Sequence, residues 1–172
     1  MTRCLQILAI VLCCSFVCMA QQAAPDELLA KARATYDEEG ARPALPQFEA
    51  ALKAYRGRGD RRGEAITIGL IGNCYKHLGD MDRALQMLQS SLAIKRELND
   101  SIEQAKTLNN IGLLYWEQGK FKDAAASYES AVTLAGDAGN PTIQSAILNN
   151  LGLTHSGLGN YRQNCSERGF CI

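Results

Sequence analysis

The side chains with the most chemistry to offer are amides and one indole. Asn109-Asn110 and Asn149-Asn150 recur 40 positions apart. A carboxamide carries both a donor and an acceptor. It can pair with the main chain of an extended peptide, or equally with an amide on a neighbouring helix. Asn109, Leu113 and Trp116 stand at i, i+4 and i+7, which is one face of a helix. Trp116 is the only tryptophan; it offers either a broad apolar platform to a partner or a core anchor. Lys76 and Lys106 suit an acidic group. A catalytic set is absent from the sequence: His77 and His155 are far apart, no serine or cysteine motif stands near either, and no phosphate loop is present. The expectation is therefore no enzymatic activity, no cofactor and no metal. Cys165 and Cys171 lack the second cysteine pair that a metal site needs. They form a disulfide in an oxidising compartment, or are two unpaired thiols.

These residues need helices to position them. In Thr107–Gly136, Leu108, Ile111 and Tyr115 form one helical stripe, with Gly112 on the same side to admit a close neighbour. Gln118-Gly119-Lys120 breaks the pattern, and glycine there suits a left-handed cap. A second stripe follows in Phe121, Ala124, Ala125, Tyr128, Ala131 and Val132. The unit repeats: Gly72, Gly112 and Gly152 are 40 apart, as are the turn glycines Gly79, Gly119 and Gly159, and Tyr75, Tyr115 and His155. Asp60, Asp100 and Asn140 keep the same step and stand where helix N-caps are needed. Asp100 with Glu103 has capping-box spacing. An earlier unit runs from Asp26, the expected cap of a helix to Glu39, through Gly40 and Pro43 to Tyr55. Arg33 stands there in place of the glycine.

The order Leu108, Ile111-Gly112, Tyr115, turn Gly119, Ala124, Tyr128, Ala131 resembles the tetratricopeptide (TPR) repeat. Its 40-residue form is similar to the repeats of kinesin light chains and of secreted bacterial TPR proteins. The resemblance covers roughly 26–161. It implies an all-α fold, a right-handed α-solenoid of antiparallel helix pairs with about 3.5 repeats (26–59, 60–99, 100–139 and an incomplete 140–161). It also implies protein–protein interaction, with the first helices lining a concave groove for a partner peptide or helix. Residue by residue, that groove takes Asn73 and Lys76 from the second repeat, with His77 beside them. The third gives Lys106, Asn109, Asn110, Leu113 and Trp116, and the fourth gives Asn149, Asn150 and Leu153. Stacked one repeat apart, Asn110 and Asn150 form an amide ladder, read either as peptide-binding or as a tie between helices. The paired lysines of carboxylate-clamp TPR proteins are not evident as a set.

The ends carry other signals. Met1–Ala20 has one basic residue, an apolar run and small residues before Ala20, the layout of a secretory signal peptide. A membrane anchor is the rival reading, but the run is shorter than the roughly 20 residues a span needs. A secreted or periplasmic location follows. Residues 21–25 are a short lead-in. Lysines and arginines equal aspartates and glutamates at 18 each, so no basic excess favours nucleic acid. One domain of this size buries about 70% of its unfolded surface. After Tyr161 the second helix of the fourth repeat does not follow, and 162–172 reads as an irregular tail. That leaves the apolar side of the last helix open. The reading frame is cut short, or the open face docks another chain, including a second copy. The alternative function is the N-terminal regulatory part of a larger secreted TPR protein carrying a caspase-like protease domain.

Overall fold

The computed structural model describes residues 24–168, with side chains to residue 159. The signal-peptide reading and the Cys165–Cys171 pairing lie outside what is described. Among the described residues seven helices follow one another: α1 Pro25–Glu39, α2 Ala41–Arg58, α3 Arg61–His77, α4 Met81–Glu97, α5 Ser101–Glu117, α6 Phe121–Asp137 and α7 Pro141–Arg168. No strand is found among the described residues. None of the helices is long and apolar enough to cross a membrane.

Each helix packs on the next, and the first helices α3 and α5, and α5 and α7, also touch. The result is a solenoid of helix pairs whose first helices lie on the inner side of the curve. Helices α3 to α6 are all 17 residues long, about 25 Å, so successive pairs stack in register. The core is built of small residues receiving large ones. Ala84, Ala105, Ala124 and Ala131 are buried beside Leu88, Leu114 and Tyr128. Gly112 carries this furthest: a Cβ there would lie 2.6 Å from the Tyr128 ring.

Caps and turns set the boundaries. Asp60, Asp80, Asp100 and Asn140 each accept a hydrogen bond from the backbone N–H three residues on, at 2.9–3.2 Å, as N-caps do. Gly119 has a φ of 72°. Its N–H donates to the Trp116 carbonyl at 2.9 Å, and the Lys120 N–H donates to that of Tyr115 at 2.8 Å. This pair of bonds closes the last turn of α5 as a Schellman motif.

Three expectations are corrected. Asp26 does not cap α1. Pro25, pre-set for a first helical turn, starts the helix one residue earlier, and Asp26 Oδ1 accepts from the Tyr55 hydroxyl at 2.6 Å. Glu103 makes only half of a capping box: its backbone N–H bonds Asp100, but its carboxylate turns to Lys95 and Lys106. The third correction is at the end. The expected turn at Gly159 is not made, and α7 runs on to Arg168, so 162–168 is helical. In the earlier repeats an apolar stripe after the turn rewards chain reversal with burial. Beyond Tyr161 no such stripe follows, so continuing the helix keeps its backbone hydrogen bonds at no loss of core.

Candidate functional site: the face of the first helices

The inner face is set by residues of α1, α3, α5 and α7 that point away from the second helices. It divides into a polar half and an apolar half.

The polar half holds two clefts. One, of 280 Å³, lies between α1 and α3 and is lined by Arg33, Tyr36, Asp37, Phe48, Leu70 and Asn73. His77 meets the Tyr36 ring edge-on nearby, with centroids 5.7 Å apart. The other, of 160 Å³, reaches from Arg33 across α3 to Lys106 and Asn110 on α5, with Lys95 of α4 among its lining residues. Lys95 is 6% exposed. It donates to Thr107 Oγ1 at 2.9 Å and pairs with Glu103 at 3.2 Å. Glu103 in turn holds Lys106 at 2.7 Å. Burial pulls the Lys95 ammonium below the usual lysine range, against the pull of Glu103. Burial alone would raise Glu103. Its hydrogen bond from Lys106 and the charge of Lys95 outweigh that and hold it below the usual carboxylate range.

In the apolar half, Trp116 is 43% exposed and Leu153 59%, which decides between the two readings of Trp116: the ring is not a core anchor. Its edge contact is Phe121, at 6.5 Å between centroids. Leu113 is half-buried against the core around Tyr128.

The asparagines are brought together, but not in the expected pairs. Asn110 Nδ2 donates to Asn73 Oδ1 at 3.4 Å, a long bond, and Asn150 Nδ2 donates to Asn109 Oδ1 at 2.9 Å. Asn110 and Asn150 therefore do not stack on each other. Each reaches one repeat back, to a different register, and ties consecutive first helices. Asn109 uses its oxygen there and keeps its N–H₂ free of any partner among the described residues. Asn149 is exposed. Lys76 is partly committed, 3.4 Å from Glu117, and Lys106 is held by Glu103 while remaining exposed. The residues that sequence reasoning missed are Lys95, Thr107 and Glu103. A lysine near the end of an amphipathic helix reads as solvated, and only the packing of α4 on α5 buries it.

No set of three or more His, Cys, Asp or Glu side chains capable of holding a metal is found among the described residues. Cys74 is buried, and burial pushes its thiol up to about 11. This keeps it protonated and unreactive at neutral pH.

A family model described as tetratricopeptide repeat matches residues 43–97, 64–137 and 103–163. No curated protein matches the chain. Among solved structures, the chain is similar to BtubC (BKLC) from P. vanneervenii, at 23% identity and a TM-score of 0.68, over 86% of this chain and 64% of that one. It is also similar to a putative kinesin light chain with nearly identical TPR-like repeats from Podosopora anserina, at 14% identity and a TM-score of 0.67, over 83% and 72%. A third is aspartyl phosphate phosphatase F from Bacillus subtilis, at 13% identity and a TM-score of 0.65, over 86% and 42%. At these identities the likeness is one of fold. The chain spans less than two thirds of BtubC and of the phosphatase.

Proposed function

The chain belongs to the tetratricopeptide repeat family, and on that premise we propose that it holds an extended segment or a helix of a partner protein against the face of its first helices. The observation that carries this is the apolar half of the face. Trp116 and Leu153 are large apolar side chains left 43% and 59% exposed on first helices of the solenoid. Aromatic anchors on concave surfaces are where interfaces concentrate their energy. The free N–H₂ of Asn109 adds a donor for a passing main chain. The Asn73–Asn110 and Asn109–Asn150 pairs are ties between repeats, so the ladder supports the groove's shape more than its contacts. The module acts outside the cytoplasm if Met1–Ala20 is a cleaved signal.

Selection from a displayed peptide library against residues 21–172 tests the reading. The wild type enriches a common sequence with an apolar anchor, and Trp116→Ala with Leu153→Ala abolishes the enrichment while circular dichroism stays unchanged. Enrichment that survives both substitutions overturns the site.

A further inference from the structure

We propose that two copies of this chain pair through the side of α7 where the earlier first helices carry their second helix. The repeat itself defines that side. In α3 it holds Ile71-Gly72 and in α5 Ile111-Gly112, all buried. Leu88 of α4 stands over Gly72, and Tyr128 of α6 stands over Gly112. The equivalent positions of α7 are Leu151-Gly152, with Leu148 before them and His155 after. The four recur at i, i+3, i+4 and i+7, one stripe of a helix. Leu151 is half-buried against the core of the third repeat. Leu148, Gly152 and His155 are exposed, and a Cβ at 152 would meet nothing within 4 Å among the described residues. This stripe is distinct from the groove: Leu153 stands about 100° round the helix from Gly152.

Charge points to what covers the stripe. Between Asp137 and Arg162 the sequence has no Asp, Glu, Lys or Arg, whereas each of α1 to α6 carries several. A solenoid ordinarily ends in a polar outer face that keeps it in solution. Helix α7 instead presents leucine on an uncharged surface, and such a patch marks a contact. A different protein is steered and oriented by complementary charge, and this stripe offers none. A second copy needs none. No like charges meet, and one two-fold contact covers both open stripes at once. The two α7 helices run antiparallel, as α5 and α6 do. They cross beside Gly152, where the missing side chains let the backbones approach, and Leu148 of each copy lies against His155 of the other. One helix pair is at the small end of protein interfaces. The dimer is therefore weak and dissociates on dilution, leaving the open face of the single chain.

Sedimentation velocity of residues 21–172 tests this, over about a hundredfold range of concentration. A reducing buffer keeps Cys165 and Cys171 from forming a covalent dimer. The wild type passes from monomer to dimer as concentration rises and goes no further. Leu148→Glu, at an exposed position, stays monomeric throughout with an unchanged circular dichroism spectrum. Adding His155→Lys to that variant restores the dimer. The two substituted side chains lie about 10 Å apart along their own helix, so only the antiparallel partner brings Glu and Lys together. If Leu148→Glu fails to fold, Leu148→Ala must still raise the dissociation constant about tenfold. A wild type that stays monomeric overturns the second copy as the occupant. Dimers that persist in Leu148→Glu overturn α7 as the interface. Growth beyond the dimer overturns the closed two-fold contact, and failure of His155→Lys to rescue overturns the antiparallel register.

Discussion

Two glycines in the same register show how a residue takes its meaning from its neighbour. Gly112 faces the Tyr128 ring so closely that an added methyl would collide, whereas a Cβ at Gly152 meets nothing within 4 Å. Gly112→Ala should therefore destabilise by about 1–3 kcal/mol, the usual cost of overpacking a close contact. Gly152→Ala should stabilise by roughly 0.5–1 kcal/mol, because alanine gives up less entropy than glycine inside a helix. Urea midpoints of the two variants should move in opposite directions; a shift of the same sign would mean that the α7 face is covered. Leu148, equivalent to half-buried Leu108, is 47% exposed, as expected for a helix face whose second-helix partner is absent from the described residues.

At the scale of the element, the side-chain N-caps repeat from α3 onward with one exception. Asp60, Asp80, Asp100 and Asn140 cap the helices that follow them. Helix α6 begins after Lys120, whose side chain makes no cap bond. A cation at the positive end of a helix is also on the wrong side of its dipole. Lys120→Asp should place a cap like that of Asp80 at the equivalent turn and raise stability by about 1 kcal/mol. The loss of its 5.9 Å contact over the exposed side of Tyr115 offsets at most about half of that. Thermal unfolding of the variant reads the result, and a lowered midpoint would show that the Tyr115 contact outweighs the cap.

Across the whole molecule, buried and half-buried carboxylates link the repeats. Glu64 is held by Arg56 at 2.8 Å and Arg61 at 2.7 Å, while Arg61 also reaches Glu97. Asp100 pairs with Arg62 at 2.5 Å. Burial by itself would raise Glu64, Asp100 and Glu103. The hydrogen bonds and cations around each outweigh it, and all three sit below their usual range. Their folded pKa is thus below the unfolded one. The stability they contribute is present above the ordinary carboxylate range and is lost as the pH falls through it, because the unfolded chain takes up protons first. Urea unfolding should show a marked drop in midpoint between neutral pH and about pH 3. Charge-neutral Glu64→Gln should be less stable than wild type at pH 7 and lose less on acidification. An acid dependence unchanged in that variant would remove Glu64 from the account.

Repetition every 40 residues, the glycines that close turns and the aspartates that open helices are all local or periodic signals. They determine the helix pairs, their number and their stacking order, and they place Asn73, Asn109, Asn110, Trp116 and Asn150 on first helices. Which of these face outward, and which pair with one another, depends on contacts between segments far apart in the chain. That is why the amides pair as Asn73–Asn110 and Asn109–Asn150 instead of Asn110 with Asn150. Periodicity specifies a face to within a residue or so, whereas hydrogen bonds are decided by a few ångströms of offset between neighbouring helices. Lys95 is the sharpest instance. Its sequence neighbours read as the solvated end of a helix, and only the tertiary structure, by laying α5 over α4 and packing Gly69 of α3 close beside it, makes it a buried cation lining a cleft.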